Sequence, residues 1–347
     1  MNKLAILRRF TLSLVFVLAG VILWGQTKTD LAGSGTELDP YLIESDADWT
    51  EIFAIEANAA KYWASGIVTR LDKDITVSTM VGTSSNKYRG TFDGNWHTLT
   101  LAISSSADYA APFSYINGAS IKNLKIVGNV ETSAKYAGSL VGSVNGNNTI
   151  MSCTSTATIT ISTDGDASTG GLAGRVWEGA NALNFYNCSF EGSITGSNAE
   201  KCAGFVGWVA GTVGYTNCLM AGTISISKNT STFNRQAPAN ASASTENAYY
   251  ITNYNGLSGN TYPGPDGTIA PTSEPTTVIG KKYTKDETNY YVPGAALITG
   301  LETKSYSYTG NDIVITPSLT YYGWTMTENT DYEISYEKKN GDVWESV

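Results

Sequence analysis

The chain has 347 residues, enough for two ordinary domains or one extended one, and 22 Lys and Arg against 31 Asp and Glu give it a net charge of −9. A balance this acidic repels phosphate backbones and anionic bilayers, which argues against nucleic-acid and peripheral-membrane partners. With 15% charged residues, 35 Gly, 21 Tyr and one His, the composition is too apolar for disorder and too poor in Lys, Glu and Leu for a helical bundle, and it leaves little for histidine metal centres or acid–base networks.

Residues 1–25 read as a signal peptide. Lys3, Arg8 and Arg9 precede an apolar run from Thr11 to Trp24, and the run is short for a membrane span. An uncleaved anchor is the alternative. Removing residues 1–25 leaves a charge of −12. No cysteine comes after the run to carry a lipid, and no other stretch is apolar enough to span a bilayer, so no membrane insertion is expected after signal removal. The expected localisation is secreted or cell-surface. Next, Ser45 can cap a helix over Asp46–Trp63, with Tyr41–Ile43 and Ile67–Leu71 as flanking strands. Its face of Trp49, Ile52, Phe53, Ala60 and Trp63 would cover the first coil of the repeats C-terminal to it.

The centre of the chain repeats itself about every thirty residues. One element is a small-residue strand: Ala111-Pro-Phe-Ser-Tyr-Ile, Gly138-Ser-Leu-Val-Gly, Gly170-Gly-Leu-Ala-Gly and Ala203-Gly-Phe-Val-Gly, anchored by Phe113, Leu140, Leu172 and Phe205. The second is anchored by Leu124, Cys153, Cys188 and Cys218, with Ala248 as a fifth copy and Gly90–Leu101 as an earlier rung. After each anchor the apolar period is 2, as in Cys188, Phe190, Gly192 and Ile194, which describes a half-buried strand. Before it the phase breaks at Asn123, Ser152, Asn187 and Asn217. A phase break is a bend, and Asn readily adopts the left-handed conformation that a tight bend needs. Stacked coils would bring these amides within bonding reach of one another.

Short strands, polar turns and no helical period describe a parallel β-solenoid spanning residues 33–255, each coil burying its apolar edge against the next. A β-sandwich is the rival. Thr163–Thr169, Glu178–Asn181 and Gly196–Lys201 are expected as outer loops. Cys153, Cys188 and Cys218 occupy equivalent repeat positions and fit either a buried stack of thiols or a disulfide, the exported setting favouring the latter and the repeat the former, while Cys202 lies off this register.

Gly170-Gly-Leu-Ala-Gly and Ala203-Gly-Phe-Val-Gly resemble the GLUG motif of secreted bacterial surface proteins, with Gly138-Ser-Leu-Val-Gly a looser copy. Gly33-Ser-Gly-Thr-Glu-Leu-Asp-Pro-Tyr-Leu-Ile and Phe92-Asp-Gly-Asn-Trp-His-Thr-Leu are similar to segments that precede such repeats. The resemblance implies a right-handed parallel β-helix of pectate-lyase-like shape and an adhesin-like role without an assigned reaction. Residues 256–289, with Pro263, Pro265, Pro271 and Pro275, read as a linker or irregular end-cap. In residues 290–347, Tyr308-Thr-Gly, Thr316-Pro and Asp331-Tyr-Glu-Ile-Ser-Tyr resemble the start of a bacterial immunoglobulin-like repeat, a partial β-sandwich, which suggests a fragment or truncated reading frame.

The chemistry is sparse. Asp93 and His97 look like an acid and a base, but Asp-Gly-Asn is ordinary turn sequence. Asp164 and Asp166 are too few for a calcium loop. No acidic pair recurs at the ~5–9.5 Å separation of a glycosidase. Arg175 is the one arginine inside a repeat. No catalytic residue, cofactor or metal site is expected. Trp96, Trp177, Trp208, Tyr136 and Tyr186 lie near strand ends and could stack on sugar rings, or pack at coil edges. The function expected is a non-catalytic, adhesin-like contact with glycans or host surface components. The alternatives are a polysaccharide lyase or hydrolase on the same scaffold and a passive surface stalk.

Overall fold

The computed structural model describes residues 28–251, apart from 134, 164, 201, 229–233 and 237–240, and several short strands beyond. The segment expected as a signal peptide, and most of those expected as a linker and a partial immunoglobulin-like module, lie outside the described residues. The chain between 41 and 251 winds as a parallel β-solenoid with three faces.

The first face stacks Tyr41–Ile43, Val68–Leu71, Thr91–Asp93, the start of Ser120–Thr132, the start of Asn147–Ser155, Ala182–Tyr186, Thr212–Met220 and Ser242–Ile251, in that order and all parallel. Ala270–Thr272, inside the segment expected as a linker, adds a further parallel strand. The second face stacks Ile75–Val77, Thr98–Ser105, the end of Ser120–Thr132, Thr158–Ile161, Ser193–Glu200 and Thr223–Lys228. The third, the glycine face, stacks Phe113–Asn117, Val141–Asn145, Ala173–Val176, Val206–Val209 and Asn234–Gln236. These parallel registers exclude the sandwich for this part of the chain.

The core is built from vertical columns of like side chains. Ile103, Val130, Ile159, Ile194 and Ile224 are register partners inside the second face, and Ile116, Val144, Val176 and Val209 inside the glycine face. All are buried, each contributing about 1.5–3 kcal/mol relative to an exposed position. In the first face Phe185 and Tyr215 stack at 5.5 Å and 7°, and Phe205 meets both edge-on. Leu124 pairs with Cys153, and Cys218 with Ala248. Cys188 falls between, because Ser189 pairs with both Thr154 and Leu219. All four cysteines are free and buried, and Cys153, Cys188 and Cys218 form the stack of thiols, with Cys202 apart from it. The thiols donate to main-chain carbonyls, Cys188 to Tyr186 at 3.3 Å and Cys218 to Thr216 at 3.4 Å.

The corners fall at the phase breaks. Asn123, Ser152, Asn187 and Asn217 have φ of 55°, 53°, 51° and 51°. Asn217 Nδ2 donates to Asn187 Oδ1 at 3.1 Å, and Asn123 Nδ2 to Asp93 Oδ1 at 3.1 Å. Asn187 Nδ2 is buried with no acceptor, because the coil before it offers only the short Ser152.

Three expectations need correction. The N-terminal cap is not one helix: Asp48–Phe53 forms a π-turn, Glu56–Asn58 a 3₁₀ turn and Ala59–Tyr62 a single α-turn. A straight 18-residue helix would run ~27 Å in one direction, whereas the break at Ile55 folds both Trp49–Phe53 and Tyr62–Trp63 inward. Trp49 still closes the coil end, its ring 5.8 Å from Phe92 and 5.6 Å from Phe113. Second, the rung at Phe113 is shifted by one, Phe113 pairing with Val141 rather than Leu140; the later rungs keep Leu140, Leu172 and Phe205 in line through main-chain bonds. Third, neither Thr163–Thr169 nor Gly196–Lys201 is an outer loop throughout: Ser193–Glu200 is a strand, Gly165–Asp166 pairs with its end at Ala199–Glu200, and Ala167, Ser168 and Thr169 are buried. The two insertions find each other's backbone and lengthen the second face.

Candidate ligand-binding surface

The glycine face owes its small residues to close main-chain approach. A Cβ at Gly174 would lie 2.6 Å from Gly142 O and 3.0 Å from Ala137 N, so the motif's last glycine leaves no room for a side chain. Flattened in this way, the sheet points its inward column at the core and its other column outward. That outward column is Tyr115, Ser143, Arg175 and Trp208, register partners on successive strands.

Around this column the chain assembles an aromatic platform. Tyr109 and Tyr136 precede the bridge between Ala110 and Ala137 and stack at 5.2 Å and 7°. Tyr115 lies 5.0 Å and Trp177 6.3 Å from the Tyr109 ring. Trp177 Nε1 donates to Ser143 Oγ at 2.9 Å, which fixes the indole. Arg175 threads between the rings, its guanidinium carbon 3.6 Å from the centre of Trp177 and 5.1 Å from that of Tyr136, and its Nη1 donates to the Tyr136 hydroxyl at 3.1 Å. Cation–π contacts of this kind add order as well as energy. Lys135 lies 5.4 Å over Tyr136. Burial pushes the Tyr109 hydroxyl up to about 12 against the opposing pull of Arg175. Burial, and then the Asp108 charge, raises Tyr115. Both phenols are neutral donors at physiological pH.

Of the five aromatics singled out from sequence, the fold brings Tyr136, Trp177 and Trp208 onto this surface. Trp96 sits at the corner between the first and second faces with φ 64°, its N–H donating to Asn123 O at 2.9 Å. Tyr186 lies on the first face, paired with Met151 and Thr216. Sequence reasoning misses Tyr109 and Tyr115. Tyr109 recurs as Tyr136 at the spacing of Phe113 and Leu140 but in no further copy, and Tyr115 stands in the strand opposite Ser143, where the next copy has no ring.

The remaining candidates resolve into structure. The Asp93 carboxylate accepts from Asn95 N at 2.9 Å and from Asn123 Nδ2, and lies 3.5 Å from Lys122 Nζ. His97 Nδ1 faces Asp74 Oδ1 at 3.2 Å. Asp93 is thus the first member of the corner ladder and His97 has a different carboxylate. Asp164 lies outside the described residues. Among the described residues no three of His, Cys, Asp and Glu come together as a metal site, and no helix is long and apolar enough to cross a membrane. An open groove of about 510 Å³ on the second face is lined by hydroxyls, among them Ser104, Ser133, Thr160 and Ser162, with Glu131 its one carboxylate.

No family model matches the chain, and no curated protein matches it. A solved structure similar to it is a Bacteroides ovatus protein provisionally assigned as an immunoglobulin A1 protease, 17% identical, with a TM-score of 0.47, covering 69% of this chain and 85% of that one. A likeness at that level carries no argument about activity. What the coordinates define is a parallel β-solenoid with one aromatic outer face.

Proposed function

We propose that the protein is an exported, non-catalytic surface β-solenoid, adhesin-like in role, that binds glycans on the outer side of its glycine face. The observation that carries this reading is the platform of Tyr109, Tyr115, Tyr136, Trp177 and Trp208 around Arg175. Sugar rings offer C–H faces to aromatic rings and hydroxyls to the edges around them, and a rigid, pre-stacked surface loses little entropy on binding. The basic and apolar start of the chain supports export, and the GLUG-like strands support kinship with secreted surface proteins. The second-face groove offers a single carboxylate where glycosidases use two, so it does not favour the enzyme reading.

A glycan array probed with the full chain, followed by titration of the best oligosaccharide, tests this. Trp177→Ala and Trp208→Ala are expected to weaken binding at least tenfold with the circular dichroism unchanged. Undiminished binding by both variants would refute the assignment of the surface, and a blank array would favour the passive stalk. Release of new reducing ends would favour the enzyme.

A further inference from the structure

The aromatic surface has a charge opposite to that of the chain around it. The five strands of the glycine face carry two charged residues, Arg175 and Arg235, and neither Asp nor Glu. That is an inversion in a chain with nine more acids than bases. Arg235 belongs to the strand next to Val206–Val209, in the stretch of register that faces Gly207 and Trp208. Lys135 adds a third cation at the rim, and Asp108, whose carboxylate accepts from the Lys135 main-chain N–H at 3.3 Å, is the acid beside it.

Arg175 itself is held in an unusual state. Its Nη1 is committed to the Tyr136 hydroxyl, its faces are taken up by Trp177 and Tyr136, and its Nε is buried with no acceptor. Among the described residues it has no carboxylate partner. A half-buried guanidinium without a carboxylate among the described residues, fixed between two rings, keeps its Nη2 group outside the bond to the Tyr136 hydroxyl. A cation kept this way is partly desolvated in advance, so an incoming carboxylate meets less competition from water and forms a stronger bond.

Resting on the glycan reading above, we infer that the ligand is an acidic polysaccharide, a uronate-bearing chain whose rings lie on Trp177, Trp208 and Tyr136 and whose carboxylate meets Arg175. Binding involves no bond making or breaking. Neutral sugars would use the aromatic faces but leave the guanidinium unpaired. An acidic protein segment would use the guanidinium but leave the stacked rings without flat apolar partners.

The experiment is calorimetry of the full chain with a galacturonate tetramer and with its methyl ester, which keeps the rings and removes the charge. The acid is expected to bind about tenfold tighter than the ester at low salt, as one charge-assisted hydrogen bond would give. That preference should collapse in concentrated NaCl, with ester binding there staying within a few-fold, and it should be lost in Arg175→Gln. The salt series needs no variant, so it tests the inference even if Arg175→Gln loosens the platform. Equal affinity for acid and ester would overturn the charge inference while leaving the aromatic platform standing. Absence of binding by both would sink the glycan reading itself. Displacement of the tetramer by polyglutamate at matched carboxylate concentration would assign the surface to acidic protein segments instead.

Discussion

Replacing Ser152 by Asn probes the corner ladder directly. At the other three corners an Asn in the left-handed conformation reaches toward the coil before it, and two of these amides find a side-chain oxygen at 3.1 Å. Ser152 has the same φ, 53°, but its hydroxyl stops short, and Asn187 Nδ2 is left buried without an acceptor. An unsatisfied buried donor costs about 1–3 kcal/mol, and a typical hydrogen bond returns about 0.5–1.5 kcal/mol net. Ordering one more amide side chain takes back part of that. Asn also tolerates φ near 53° at least as well as Ser. The balance is a gain of about 1–2 kcal/mol, or a rise of about 2–8 °C in Tm for a domain of this size. Differential scanning calorimetry of Ser152→Asn beside wild type reads it, and the double variant with Asn187→Ser should lose the gain. A Tm that stays level or falls, with native circular dichroism, would refute the idea that the corners cooperate through their side chains.

Three other outcomes are expected. Gly174→Ala should lower stability by about 2–4 kcal/mol, because the atoms a Cβ would meet are main chain and cannot swing aside; urea denaturation measures it, and a loss below about half a kcal/mol would contradict the close approach. Burial raises Cys153 and Cys218 well above the usual thiol range, with the Cys188 thiol adding to both, so native protein should remain unlabelled by a thiol reagent even at mildly alkaline pH and label at all four sites in denaturant. Burial raises Tyr109 to about 12, and Tyr88 and Tyr215 well above 10. The unfolded chain therefore loses those protons first, and their contribution to stability, complete below about pH 10, should fall from about pH 10 towards 12 in an alkaline melting series; a flat series over that window would contradict the burial.

What the sequence reveals well is whatever repeats vertically. Leu124, Cys153, Cys188 and Cys218 share a column because each coil lays the next copy of itself one strand spacing above, and the phase break at Asn187 is visible because a left-handed residue must change which face the next side chain takes. Lateral neighbours are a different matter. Tyr109 and Tyr136 stack across two coils at the spacing of Phe113 and Leu140, but the pair occurs in only two copies and so does not stand out as a column. Arg175 stands out in the text as the arginine inside a repeat, yet its contact with Trp177 depends on the chain turning just after Val176. In the cap, the spacing of Trp49, Ile52, Phe53 and Trp63 suits a single helix. The same spacing is met by three short turns that bring two aromatic pairs down onto one coil, and propensity has little weight against that burial.

The seal formed by Trp49 has a consequence for assembly. An unprotected solenoid end offers a whole coil of unpaired main-chain groups and a bare apolar section, which is a template for adding another chain. Here the leading end is blocked by the indole and its neighbouring rings, and Leu42 is further tied to Ala32 by an antiparallel bridge. A seal of this kind works against the addition of another chain at the leading coil.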